Sequence, residues 1–233
     1  MPRPDWYLDE LAHAGPEHRD PAYIATYDRK AGTDPATDLA TLRGLGLDES
    51  SVLVDLGAGT GTFALAAAPH CRQVVAVDVS PAMIAALRAN VAARRLTNVT
   101  IANAGFLGYE HTGPPADFVY SRNALHHLAD FWKGIALARI AAILRPGGIL
   151  FLRDLVYDID PTEAEATMER WLAGATARSA DGWTRAELAE HLRDEYSTYT
   201  WLLEPTLERA GFAIHERTIE RSGTYAAYTC VKR

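Results

Sequence analysis

The run VLVDLGAGTGTF, Val52–Phe63, decides the fold. Its first half is a short apolar stretch interrupted by one acid, Asp55, and its second half places glycine at 57, 59 and 61. Glycine is costly inside regular structure, so three of them at a strand's end mark a place where bare backbone must come close to something. The rhythm is G-x-G-x-G. A dinucleotide fingerprint needs its third glycine one residue later, where this chain has Thr62, so the spacing disfavours that class of ligand. Asp55, just before the turn, makes the site acidic and suits a ligand carrying a cationic group.

Downstream of this run, short β-rich segments alternate with longer helical patterns, which predicts crossover units and a parallel sheet. The predicted strands are SVLVDL, QVVAVDV, VTIAN, ADFVYS and GILFLRDL. Ser80 and Pro81 read as N-cap and first residue of a helix through Arg95. In DFWKGIALARIAAIL the expected apolar stripe is Phe131, Ile135, Ala138 and Ala142, ended by RPGG. YLDELAHA and DPATDLATLRGLGL read as short helices before the core. Beyond Asp154 two helical segments flank ADGW, a third run follows in WLLEPTLERAGF, and FAIHERTIE and TYAAYTCVKR read as a closing hairpin.

At 233 residues, 48% hydrophobic and 23% charged, the chain suits one α/β domain with appendages. The expected division is a helical lid over 1–50, a core over 51–156, a helical insertion or cap over 157–210 and a hairpin over 211–233. The net charge of −7, with no basic run longer than a pair such as Arg94–Arg95, supplies no stripe for nucleic-acid phosphates. Cys71 and Cys230 cannot make a disulfide framework and read as free thiols of a reducing compartment. No segment gives about eighteen uninterrupted apolar residues, so a cytoplasmic protein without a membrane span is expected.

The set VLVDLGAGTG, VVAVDVSPAM, ADFVYSRNALHHL and LRPGGILFLRDL, in order over Val52–Leu155, resembles the class I S-adenosylmethionine-dependent methyltransferase family. The resemblance implies a doubly wound, Rossmann-like, seven-stranded and mostly parallel sheet with an antiparallel last strand. It implies S-adenosyl-L-methionine as cofactor, S-adenosyl-L-homocysteine as its product, and methyl transfer to O, N or C of a small-molecule acceptor. Residue by residue it places Asp55, Gly57, Gly59 and Gly61 at the methionine end of the cofactor and Asp78 on both ribose hydroxyls. Val79 and Met83 would wall the adenine, with Gly105, Phe106 or Asn103 meeting its edge and Ser121 completing the set. Where many relatives carry an acid after the third strand, this chain has Gly105.

The segment SRNALHHLADFW, beside the cofactor's methyl in this family, offers His126 and His127 as general bases. Adjacent histidines at a helix start are expected to point apart, leaving at least one structural. Asp154 is a candidate to orient such a histidine. No acid cluster follows the fourth strand, so no metal is expected. The aromatic residues of the appendages, among them Tyr7, Tyr23, Tyr27 and Tyr196, are candidates for the acceptor pocket, shared with plain packing. Arg29 and Arg122 are candidate partners of the cofactor carboxylate. His191 and Glu195, one helical turn apart, read as a solvated face. Two rival readings stay open: a cofactor-binding regulatory or assembly protein, and the same fold running non-methylating chemistry. Oligomeric state is not fixed by these features.

Overall fold

The five buried residues of β1 (Val52–Leu56) form the centre of the sheet in this computed structural model, which describes residues 4–15, 24, 34–178 and 182–233. β1 pairs in parallel with β2 (Gln73–Asp78) on one side and β4 (Ala116–Arg122) on the other, so that Leu53 lies between Val74 and Phe118. β3 (Val99–Asn103) extends the sheet beyond β2, and β5 (Leu144–Tyr157) beyond β4. β8 (Tyr225–Lys232) runs antiparallel to both β5 and β7 (Phe212–Ile219), giving the order β3-β2-β1-β4-β5-β8-β7. Among the described strands only β8 is reversed, as expected. A two-residue strand, β6 (Thr198–Tyr199), pairs with the end of β5 and was not foreseen, being too short to leave a periodic trace. The chain winds outward from β1 to β3 and then returns to β4, so the reversal opens a crevice at the carboxyl ends of β1 and β4, where ligands of open α/β sheets bind.

Alternation along β1 divides the core. Leu53 joins Leu42, Phe63, Ile84 and Leu87 on one face, beneath α1 (Ala36–Gly44), α2 (Thr62–Ala67) and α3 (Pro81–Ala93). Val52, Val54 and Leu56 join Leu137, Ile140, Leu203 and Leu207 on the other, beneath α4 (Asp130–Ile143) and α7 (Thr200–Arg209). Hence α7 belongs to the layer covering the sheet, while α5 (Ala164–Leu172) and α6 (Arg185–Asp194) make up the insertion. Ser80 caps α3 by accepting from the Met83 N–H, with Pro81 at the first position, as the sequence indicates.

Two local expectations are corrected. The buried stripe of α4 is Lys133, Ala136, Leu137, Ile140 and Ala141, whereas Phe131 is 67% exposed. Small and branched apolar residues occur all round this helix, so they do not set its phase. Lys133 does, its buried ammonium bonding Asp130 and the Tyr196 carbonyl. YLDELAHA forms successive turns and no regular helix. Cys71 and Cys230 are buried free thiols, and among the described residues no helix is long and apolar enough to cross a membrane.

Candidate active site

The three glycines after β1 all have positive φ but different surroundings. A Cβ at Gly57 would fall 2.4 Å from that of Ala124, and one at Gly61 would fall 2.2 Å from Leu87 Cδ1. At Gly59 nothing described lies within 4 Å. Gly57 and Gly59 line the crevice, while Gly61 is kept small by packing against α3 and lines no cleft. The Gly59 N–H donates to Asp78 at 2.8 Å, and the Ser80 N–H donates to the other oxygen of the same carboxylate at 2.8 Å. Burial raises the Asp78 carboxyl above its ordinary value, opposed by these two N–H groups. Each oxygen keeps a lone pair for a further donor.

Around Asp78 the crevice has apolar walls from Val79, Met83, Phe106 and Leu128, with Gly105 at its far edge. Asn103 does not face it; its amide donates to the Asp78 and Val79 carbonyls at 2.9 Å and fixes the turn after β2. Ser121 is fully buried inside β4 and lines no cleft. An acid from another part of the chain lies beside the position after β3. Glu10, in the N-terminal turns, lies over Gly105, where a Cβ would approach its carboxylate to 2.3 Å, and accepts from the Leu107 N–H. Ala14 of the same segment completes this wall.

A smaller cleft continues from Gly57 and Gly59 towards α2. Asp55 lines it, 2% exposed, and burial, with a smaller contribution from the Asp78 charge, pushes its carboxyl up to about 8. Arg122 and Asn123 line both clefts. Asp38 on α1, missed in the sequence, holds Arg122 at 3.2 Å and accepts from the Tyr120 hydroxyl at 2.8 Å. Asp55 Oδ2, Arg122 Nε and Asn123 Oδ1 are buried without a hydrogen-bond partner among the described residues. Asn123 also has φ +49, an uncommon conformation for a residue with a side chain.

His126 and His127 lie in a 3-10 turn, Leu125–His127, directly after β4. Asp154 on β5 accepts from the Leu125 and His126 N–H groups and pairs with His126 Nδ1. The histidines do not point apart. Their rings lie 4.4 Å apart, and both approach Glu195, His126 Nε2 at 3.2 Å and His127 Nδ1 at 4.0 Å. His191 Nδ1 meets the same carboxylate at 2.6 Å, and both residues are largely buried, so the expected solvated face is an interior one. Burial works against charge on His126, but Asp154 and Glu195 outweigh it and push its pKa up to about 10. Burial likewise opposes the Glu195 charge, yet the surrounding histidines hold it well below the usual carboxylate range. A second cleft opens beside this group, lined by His126, His127, His191, Trp183 and Arg153; His127 lines both it and the crevice.

Of the aromatic candidates, Tyr7 packs against Trp6 and Trp132, and the Tyr196 side chain is 42% exposed; neither lines a cleft. Tyr23, Tyr27 and Arg29 lie outside the described residues.

Residues 53–148 match the model of the methyltransferase domain family. An uncharacterized methyltransferase of Geobacillus kaustophilus is 28% identical over 162 residues, 70% of this chain and 69% of its own. Among solved structures, phosphoethanolamine N-methyltransferase 2 of Haemonchus contortus superposes with a TM-score of 0.69 at 17% identity, covering 97% of this chain and 60% of that one. A SAM-dependent methyltransferase of Aquifex aeolicus gives 0.63 at 18% identity over 92% and 99%. The chain carries a methyltransferase domain on a Rossmann-like sheet. Its sheet is the one found in solved S-adenosylmethionine-dependent methyltransferases, and the family match is confined to residues 53–148.

Proposed function

We propose that this enzyme binds S-adenosylmethionine in the paired clefts beside Gly57 and Gly59 and methylates O, N or C of a small-molecule acceptor held in the second cleft. The observation that carries the reading is the set of buried, unsatisfied groups in one continuous crevice. Arg122 Nε offers a donor to a carboxylate, while Asp55 Oδ2 and Asn123 Oδ1 offer acceptors to an ammonium. Together they complement an α-amino-acid end, and Asp78 complements a ribose diol. Glu10 adds an acceptor for an exocyclic amine at the adenine edge.

When bound, S-adenosylmethionine supplies a methyl group on an electron-poor sulfonium, so the protein's main contribution is alignment, worth about 7–11 kcal/mol in favourable cases. His127, on the wall shared by crevice and second cleft, is placed to touch the acceptor. Asp154 and His126 act through it as positioning residues. Trp183 and Leu188, from the insertion, cover the second cleft and exclude water. Cytoplasmic residence fits the two buried free thiols.

Calorimetric titration with S-adenosylhomocysteine tests the reading, with Asp78→Ala expected to weaken binding by about tenfold or more. Wild-type affinity in that variant would remove the ribose assignment. A methylated product from a panel of small acceptors separates methyl transfer from a purely regulatory role.

A further inference from the structure

The side chains around Glu195 are more tightly gathered than acceptor positioning requires. A nitrogen of His126, a nitrogen of His127 and a carboxylate oxygen of Glu195 all lie within 4.8 Å of one another. His126 Nε2 and Glu195 Oε2 are 3.2 Å apart, close to the roughly 3.3 Å between two donors sharing a tetrahedral zinc ion at about 2.0–2.1 Å. His191 Nδ1 lies beside the group, 2.6 Å from the other carboxylate oxygen, and holds the Glu195 side chain in place.

These approaches are short, yet they are not aligned as hydrogen bonds. Glu195 Oε2 and His191 Nδ1 are buried and have no hydrogen-bond partner among the described residues. Side chains gathered round one carboxylate without an aligned hydrogen bond leave room for a metal ion where the His126 proton otherwise sits. Charge points the same way. Asp154 and Glu195 place two carboxylates in the interior, while the two arginines lining the adjacent cleft are engaged elsewhere, Arg122 by Asp38 and Arg153 by Asp38 and Glu220. A divalent ion held by neutral imidazoles would replace the His126 proton as the charge that balances the two carboxylates. Asp154, on the far nitrogen of His126, is the outer carboxylate that orients a metal-ligating imidazole in known metal sites.

We propose that His126, His127 and Glu195 bind one divalent transition-metal ion of the zinc class. Imidazole donors select such an ion over magnesium or calcium. This replaces the metal-free expectation, which looked for acids just after β4; the carboxylate comes instead from the end of α6. His126, His127 and His191 line the second cleft, so an open coordination position faces the acceptor. Resting on the methyl-transfer reading, an acceptor hydroxyl or thiol bound there gives up its proton to water more readily. Its oxygen or sulfur then bonds to the methyl carbon as the carbon–sulfonium bond breaks, and that electron pair returns to the cofactor sulfur.

The test titrates chelator-treated full-length protein with zinc and then cobalt ions, following heat, cobalt visible absorption and the thermal midpoint. One ion per chain is expected, with a raised midpoint and a ligand-field spectrum of low-coordinate cobalt. Glu195→Gln and His127→Ala should each weaken binding by about 10–100-fold, and His215→Ala, on the exposed face of β7, should leave it unchanged. Absence of stoichiometric uptake by the wild type, equal uptake by Glu195→Gln, or loss in His215→Ala overturns the site. S-adenosylhomocysteine titrated into the metal-free protein keeps the two readings apart. Its binding without metal uptake sinks the metal site alone, and metal uptake without its binding sinks the methyl-transfer reading alone.

Discussion

Glu10 accepts a hydrogen bond from the main-chain N–H of Leu107 at 3.0 Å, joining positions 97 residues apart and closing the N-terminal turns over Gly105. Glycine at 105 is what leaves room for that carboxylate. The segment is therefore part of the wall of the crevice. Glu10→Ala is expected to weaken S-adenosylhomocysteine by about tenfold, the value of a hydrogen bond to a charged group, while the unfolding midpoint hardly moves. Gly105→Ala should act in the same direction by displacing the carboxylate. Calorimetry on both variants checks this, and unchanged affinity in both would detach the lid from the site.

Asp55 gives a pH signature of opposite sense to that of an ordinary surface acid. Burial first and the Asp78 charge second push its carboxyl up from 3.8 to about 8. With the folded value above the unfolded one, its stabilising contribution is complete below pH about 4 and is lost as pH rises through about 8. Asp55→Asn should flatten that decline in a series of thermal midpoints between pH 5 and 9. A cation arriving beside Asp55 should also expel its proton. At pH 7 close to one proton per cofactor should be released, read as a binding enthalpy that changes with the ionisation enthalpy of the buffer. A buffer-independent enthalpy would show that Asp55 stays neutral.

What was legible in the sequence is what local chemistry dictates. The glycine turn after β1, the Ser80–Pro81 helix start, Asp78 at a strand end and Asp154 as a neighbour of the histidine pair follow from short-range pattern or from strand order. The contributions of Glu10, Asp38 and Glu195 were not legible, because each reaches its partner only after the chain has folded back over the sheet. The phase of α4 was missed since alanine and isoleucine fall on both of its faces and a buried lysine fixes its orientation. On a regular helix start His127 would diverge from His126, whereas the 3-10 turn brings both rings to one carboxylate.

The glycines themselves separate folding from binding. Gly61 has φ +93 and faces Leu87, so Gly61→Ala meets both backbone strain and a Cβ only 2.2 Å from a core methyl. A loss of about 2–4 kcal/mol is expected in denaturant unfolding, the combined scale of strain and overpacking. Gly59 has φ +55, within the left-handed region that side chains enter at about 1–2 kcal/mol, and open space beyond it. Gly59→Ala should therefore cost less stability while placing a methyl where the ligand backbone must approach, reducing S-adenosylhomocysteine affinity by at least about tenfold. Measuring both quantities on both variants distinguishes a packing glycine from a binding one. Equal affinity loss with equal destabilisation would mean that the whole turn acts as one structural unit and that Gly59 contacts no ligand.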